Sequence, residues 1–167
     1  ALRLAEIAAA EQMRILEGAR QLLTALAMVP VIQRRDEAHC SPALQRLREQ
    51  FPVYTVIGAA DLSGRIWCSS ANTGADVSDR LWFRRALEAE SFTVGGYLAG
   101  RARGVRTMNL VLPVYDTNRQ FVSVLHVGLD LALLSEDLAR RQPEPGISLT
   151  IVNPEGIVLV DLPDGRQ

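Results

Sequence analysis

Tyr54-Thr55-Val56-Ile57-Gly58-Ala59-Ala60-Asp61-Leu62-Ser63-Gly64-Arg65-Ile66-Trp67-Cys68 is where the chain changes period. Upstream of Val53 the apolar residues recur at three and four, as on a helix. From Tyr54 a β-branched and apolar run reads as a strand. Asp61-Leu62-Ser63-Gly64 reads as a tight turn, and Arg65-Ile66-Trp67-Cys68 as the returning strand. Three more strands are predicted downstream, at 92–98, 107–115 and 121–129. Met108, Leu110, Leu112 and Val114 share one face of the second. Successive hairpins with segregated helices give an α+β fold built on an antiparallel sheet.

Upstream, Ile15, Ala19, Leu22, Leu26 and Val29 form a heptad-like stripe that Leu4 and Ala8 extend backwards. This long helix is predicted to end or bend at Pro30. Leu16 and Leu23 widen its apolar side beyond what one packing surface needs, so a parallel homodimer through the helix is expected. After a charged connection, Ser41-Pro42 reads as an N-cap with proline at the first position of a short helix. Near the other end, 132–141 reads as a further amphipathic helix. Ile147 to Val160 then repeats the layout of the first hairpin, with Asn153-Pro154-Glu155-Gly156 as its turn. The repeat reads either as the start of a second, similar module or as a terminal hairpin completing the first sheet.

The 167 residues suffice for one ordinary core, and 48% hydrophobic with 22% charged residues excludes disorder. A net charge of -1 offers no field for nucleic acid or anionic lipid. No apolar run reaches membrane-spanning length.

The chemistry centres on Ser78-Asp79-Arg80-Leu81-Trp82-Phe83-Arg84-Arg85-Ala86-Leu87. Ser78 or Asp79 can cap a helix here, with Trp82–Ala86 and Phe83–Leu87 as an apolar stripe. Arg80 then falls in the first turn, where the helix dipole disfavours a cation. It reads either as a solvated surface arginine or as a guanidinium fork for a carboxylate, walled by Trp82. Strand alternation puts His126, Gly128 and Asp130 on one face, with Asp130 expected to raise the imidazole pKa. The same alternation puts Ser123 on the other face, which defeats a Ser123–His126–Asp130 hydrolase triad, and no other enzyme motif is present. Cys40 and Cys68 read as two buried thiols in a reducing compartment, or most simply as one disulfide in an extracytoplasmic protein. No histidine or cysteine pair has a usual metal spacing, so neither a metal nor a cofactor is expected.

The order of these elements resembles the extracytoplasmic Cache domains, PAS-like sensor modules of bacterial histidine kinases, diguanylate cyclases and chemoreceptors. It comprises a long helix, a short helix, the D-x-x-G hairpin, the S-D-R-x-W-F helix, the G-Y strand, the N-x-x-x-P-V strand and the V-G-L-D-L strand. The resemblance implies a long N-terminal helix over 1–36, a PAS-like module over 37–142, and the start of a membrane-proximal module over 143–167. It also implies a non-enzymatic periplasmic part of an inner-membrane receptor, anchored by segments elsewhere, that binds a small carboxylate or amino acid. In amino-acid-binding members, residues matching Arg80 and Trp82 hold the ligand carboxylate, and residues matching Tyr97 and Asp130 hold the ammonium. Phe83 and Ala75 stand where such members carry tyrosines, so two hydroxyl donors are missing. Phe83 is expected to line the site, with His126 near it. A ligand-free spacer module is the alternative reading.

Overall fold

The computed structural model describes residues 2–99, 106–140, 149–152 and 158–162. Helix α1 spans Leu2–Ala27, and a short turn of helix, α2, covers Pro30–Gln33 with proline at its start. Helix α3 spans Glu37–Gln50, earlier than the Ser41-Pro42 reading placed it. Asp36 supplies the cap, its side chain accepting from the His39 backbone N–H, and Pro42 lies inside the helix. Proline at this sixth helical position has no N–H to give the Ala38 carbonyl, while Ser41 Oγ is used elsewhere, accepting from the Ser69 N–H at 3.1 Å.

Strands β1 (Tyr54–Ala60) and β2 (Ile66–Ser69) form the expected hairpin. Helix α4 (Leu81–Glu88) follows, then β3 (Thr93–Ala99), β4 (Arg106–Tyr115) and β5 (Phe121–Asp130). The five strands make one antiparallel sheet in the order β2-β1-β5-β4-β3, so the last strand is inserted beside the first. Helix α5 spans Leu131–Arg140. Strands β6 (Leu149–Val152) and β7 (Val158–Leu162) pair with each other in a separate sheet. The repeated hairpin therefore does not extend the first sheet.

The two faces of the sheet have different roles. Ile57 and Ala59 of β1, Leu110 and Val114 of β4, and Leu125, Val127 and Leu129 of β5 pack with Ala19 and Leu23 of α1 and Leu44 of α3 into the main core. Burial of this size is what stabilises the domain, at about 1.5–3 kcal/mol per large apolar side chain. A disulfide joins Cys40 of α3 to Cys68 of β2, with both residues fully buried. The opposite face is smaller in apolar content and carries α4.

Candidate ligand site

Alternate residues of the strands under α4 belong to two zones. At one end Ala60, Val111 and Val124 pack with Ile66 and with Trp82, Phe83 and Ala86 of α4 in a compact apolar cluster. Toward the other end of the same face most residues are small or polar: Gly58 on β1, Thr107 and Asn109 on β4, and Gly128 and Asp130 on β5, with Val56 of β1 packed beside Gly128. His126 stands at the boundary between them.

The position of α4 follows from local chemistry. The chain turns at Val77–Arg80, where the Arg80 N–H donates to the Val77 carbonyl, and Asp76 accepts from the Ser78 N–H. Arg80 is itself the N-cap, in extended conformation and without a side-chain cap bond, so neither Ser78 nor Asp79 caps the helix. Asp79 instead offers its carbonyl to the Arg84 guanidinium at 2.7 Å. Arg80 therefore precedes the first turn rather than lying within it. Its Nε is 3.4 Å from the Asp79 carboxylate, an exposed neighbour in sequence. A pair whose carboxylate is this exposed contributes little, which leaves the charge of half-buried Arg80 weakly compensated.

Trp82 and Phe83 are buried, and their rings meet edge to face at 6.0 Å. Phe83 sits within the apolar cluster, 1% exposed, and forms its packing rather than an open wall. Trp82 lies flat against His126, the centroids 4.7 Å apart and the planes 30° apart. Its backbone is pressed on β3 at Gly95, where a Cβ would come within 2.3 Å of the Trp82 Cβ. Only glycine permits that approach.

His126 is 5% exposed, and both ring nitrogens are buried without a hydrogen-bond partner. Burial pushes its pKa down to about 4, opposite to the upward shift expected from Asp130. The reason is distance. Four residues along a strand put Asp130 about 13 Å from His126, beyond any direct interaction. Asp130 Oδ1 accepts from the N–H groups of Ala132 and Leu133, capping α5. The Tyr97 side chain lies outside the described residues. Its backbone pairs with Met108, while Leu98 pairs with Thr107, the residue in register with Asp130. Ser123 faces the main core, donating to the Ala60 carbonyl and accepting from Trp67 Nε1, so it shares no site with His126.

The structure thus brings Trp82 and His126 together and sets Asp130 farther along the same face. Sequence reasoning missed Asn109, 5% exposed beside Gly128, and the glycines at 58 and 95. The Gly95-Gly96 pair within a strand was the available signal. Among the described residues no cluster of histidine, cysteine and carboxylate groups could hold a metal ion, and no helix is long and apolar enough to cross a membrane.

Several solved structures share this architecture. The extracellular domain of the putative histidine kinase rpHK1S-Z16 matches 96% of the chain and 68% of its own length, with a TM-score of 0.75 at 20% identity. The Campylobacter jejuni chemoreceptor Tlp3 ligand-binding domain, in complex with L-norvaline, matches 95% of the chain and 66% of its own, at 0.75 and 13%. A domain of a putative sensory box/GGDEF family protein from Vibrio parahaemolyticus matches 83% and 62%, at 0.69 and 15%. The chain has the fold of a Cache-like sensor domain. At these identities the likeness establishes architecture, and the chain spans about two thirds of the length of such domains. No family model and no curated protein matches the chain.

Proposed function

We propose that this Cache-like domain is the extracytoplasmic sensor of a membrane receptor and that it binds a small carboxylate on the α4 face of the sheet. The observation that carries the reading is Arg80. It is a half-buried cation at the start of α4, beside the buried Trp82, and among the described residues its ion-pair partner is the exposed Asp79. A ligand-free spacer would be expected to neutralise such a residue with a carboxylate of the fold. The buried disulfide supports an oxidising compartment, and the ligand-bound Tlp3 structures support recognition of a small molecule by this architecture. The ligand carboxylate meets Arg80, with Trp82 beside it. The remaining polar end is met by residues of the small, polar zone: His126 at its boundary, or Asp130 at its far end.

A thermal-shift screen of carboxylates and amino acids tests this reading. A ligand that binds only the folded state adds about 2.7 kcal/mol of stability at 100 times its Kd. Arg80→Ala should then weaken binding by about 2–4 kcal/mol, because the carboxylate loses a charge-assisted pair. Unchanged affinity in Arg80→Ala and Trp82→Ala would place the ligand elsewhere.

A further inference from the structure

We infer that His126 selects the ligand, and that the compound bound is a carboxylate carrying an uncharged hydrogen-bonding group, a hydroxyl above all, rather than an ammonium or a second carboxylate. The inference rests on the carboxylate-sensing role proposed above and names the chemistry of its other end.

Two buried ring nitrogens without partners in a central strand are costly to keep. Each forgoes a hydrogen bond that water would supply, and folds retain such groups where something else satisfies them. Nε2 stands over Gly58 of the neighbouring strand, where a Cβ would come within 2.6 Å of it. On the ring's flat side Trp82 is stacked, so a polar ligand group must approach the nitrogens at the ring edge.

The charge of that group follows from what lies within reach. Burial keeps the imidazole neutral, so it presents one donor and one acceptor. A hydroxyl matches either with a single atom. An ammonium placed there would be desolvated without a counter-ion, because Asp130 is about 13 Å along the strand. A second carboxylate would meet a neutral ring instead of a cation. A single ligand group that meets His126 is therefore out of reach of Asp130. Asp130 already commits one oxygen to the cap of α5, whereas both His126 nitrogens are unused.

The test compares acids that differ at one position: propanoate, lactate and alanine, then butanoate, 4-hydroxybutanoate, 4-aminobutanoate and succinate. Affinities are measured by calorimetry on the wild type, Arg80→Ala, His126→Leu and His126→Gln. The expected result is that a hydroxy acid binds at least about tenfold tighter than its parent, amino and dicarboxylate counterparts. That advantage should vanish in His126→Leu and persist in part in His126→Gln. Because a variant at a buried site can fail to fold, 15N NMR of the wild-type imidazoles gives a second readout. The chain has two histidines, so the signals of buried His126 should move on adding the hydroxy acid while those of exposed His39 stay. Arg80-dependent binding with no hydroxyl preference, a preference that survives His126→Leu, or unmoved His126 signals would overturn the inference and leave carboxylate sensing intact. If no acid binds, or binding ignores Arg80→Ala, the sensing reading itself falls and this inference falls with it.

Discussion

At the scale of single residues, His126 makes the stability of the fold depend on pH. Its folded pKa of about 4 lies below the ordinary 6.5, so the unfolded chain takes up a proton that the folded one refuses. Stability associated with the neutral ring is fully present above about pH 6.5 and is lost as pH falls toward 4. At about 1.4 kcal/mol per pKa unit, the loss between pH 7.5 and 4.5 is about 2–3 kcal/mol. Urea unfolding of wild type and His126→Leu at both pH values should show the wild type losing that much more than the variant. The exposed His39–Asp36 pair and the surface carboxylates are common to both proteins and cancel. Parallel losses would mean that the ring is solvated in the folded state. A second residue-scale prediction concerns Gly95. In Gly95→Ala the new methyl would collide with Trp82, so α4 must lift from β3. A cost of about 1–3 kcal/mol, with a change in tryptophan emission, is expected from overpacking at such a site.

At the scale of elements, the disulfide fixes α3 against β2 across 28 residues. Closing a loop of that length removes about 3.5 kcal/mol worth of unfolded-chain entropy. Reduction, or replacing both cysteines by alanine, should lower the melting temperature by roughly 10 °C for a domain of this size. Thiol titration of the unfolded, unreduced protein should find no free thiol. A melting temperature indifferent to reduction would show that packing alone holds α3 in place. The bridge also illustrates which features a sequence reveals. Periodicity exposed every strand of the main sheet to within a residue or two, because alternation and turn residues are local signals. Helix starts were less legible. Asp36 and Arg80 begin α3 and α4, ahead of and behind the expected caps, because tertiary anchoring of Ser41 and of the 76–80 turn overrides local preference. The site was legible as residue types and not as distances. His126 and Asp130 share a face, as alternation implies, yet the strand's own rise separates them. The Trp82–His126 stack depends on β3, β4 and β5 lying side by side, which no local pattern encodes.

At the scale of the whole molecule, the sensor proposed here would have to pass a ligand's preference for one arrangement to something outside its site, and α1 crosses the face of the sheet opposite α4. We propose that α1 also pairs with its counterpart in a second copy. Within one chain the helix buries Ala19 and Leu23 completely, which turns that side inward. Ile15 and Leu22 lie only partly against the core, and the adjoining Gly18 and Ala25 are exposed, so an apolar strip of small residues borders the buried one. At spacings of three and four, Ile15, Gly18, Leu22 and Ala25 line one side of the helix, where a second helix can approach closely. Gly18 provides the test, since nothing lies within 4 Å of a Cβ placed there. Gly18→Gln should therefore leave the monomer unstrained and raise helix stability by about 0.5–1 kcal/mol, because glutamine is the better helix former. The same side chain would hold a partner helix away. Sedimentation over a range of concentration should show reversible dimerisation of the wild type and a weaker dimer for Gly18→Gln, with an equal or higher melting temperature at dilution. Pairing in the free domain is expected to be weak, because a membrane anchor would supply the effective concentration that a dilute solution lacks. A wild type that stays monomeric at millimolar concentration, or a dimer indifferent to Gly18→Gln, would remove α1 from the interface.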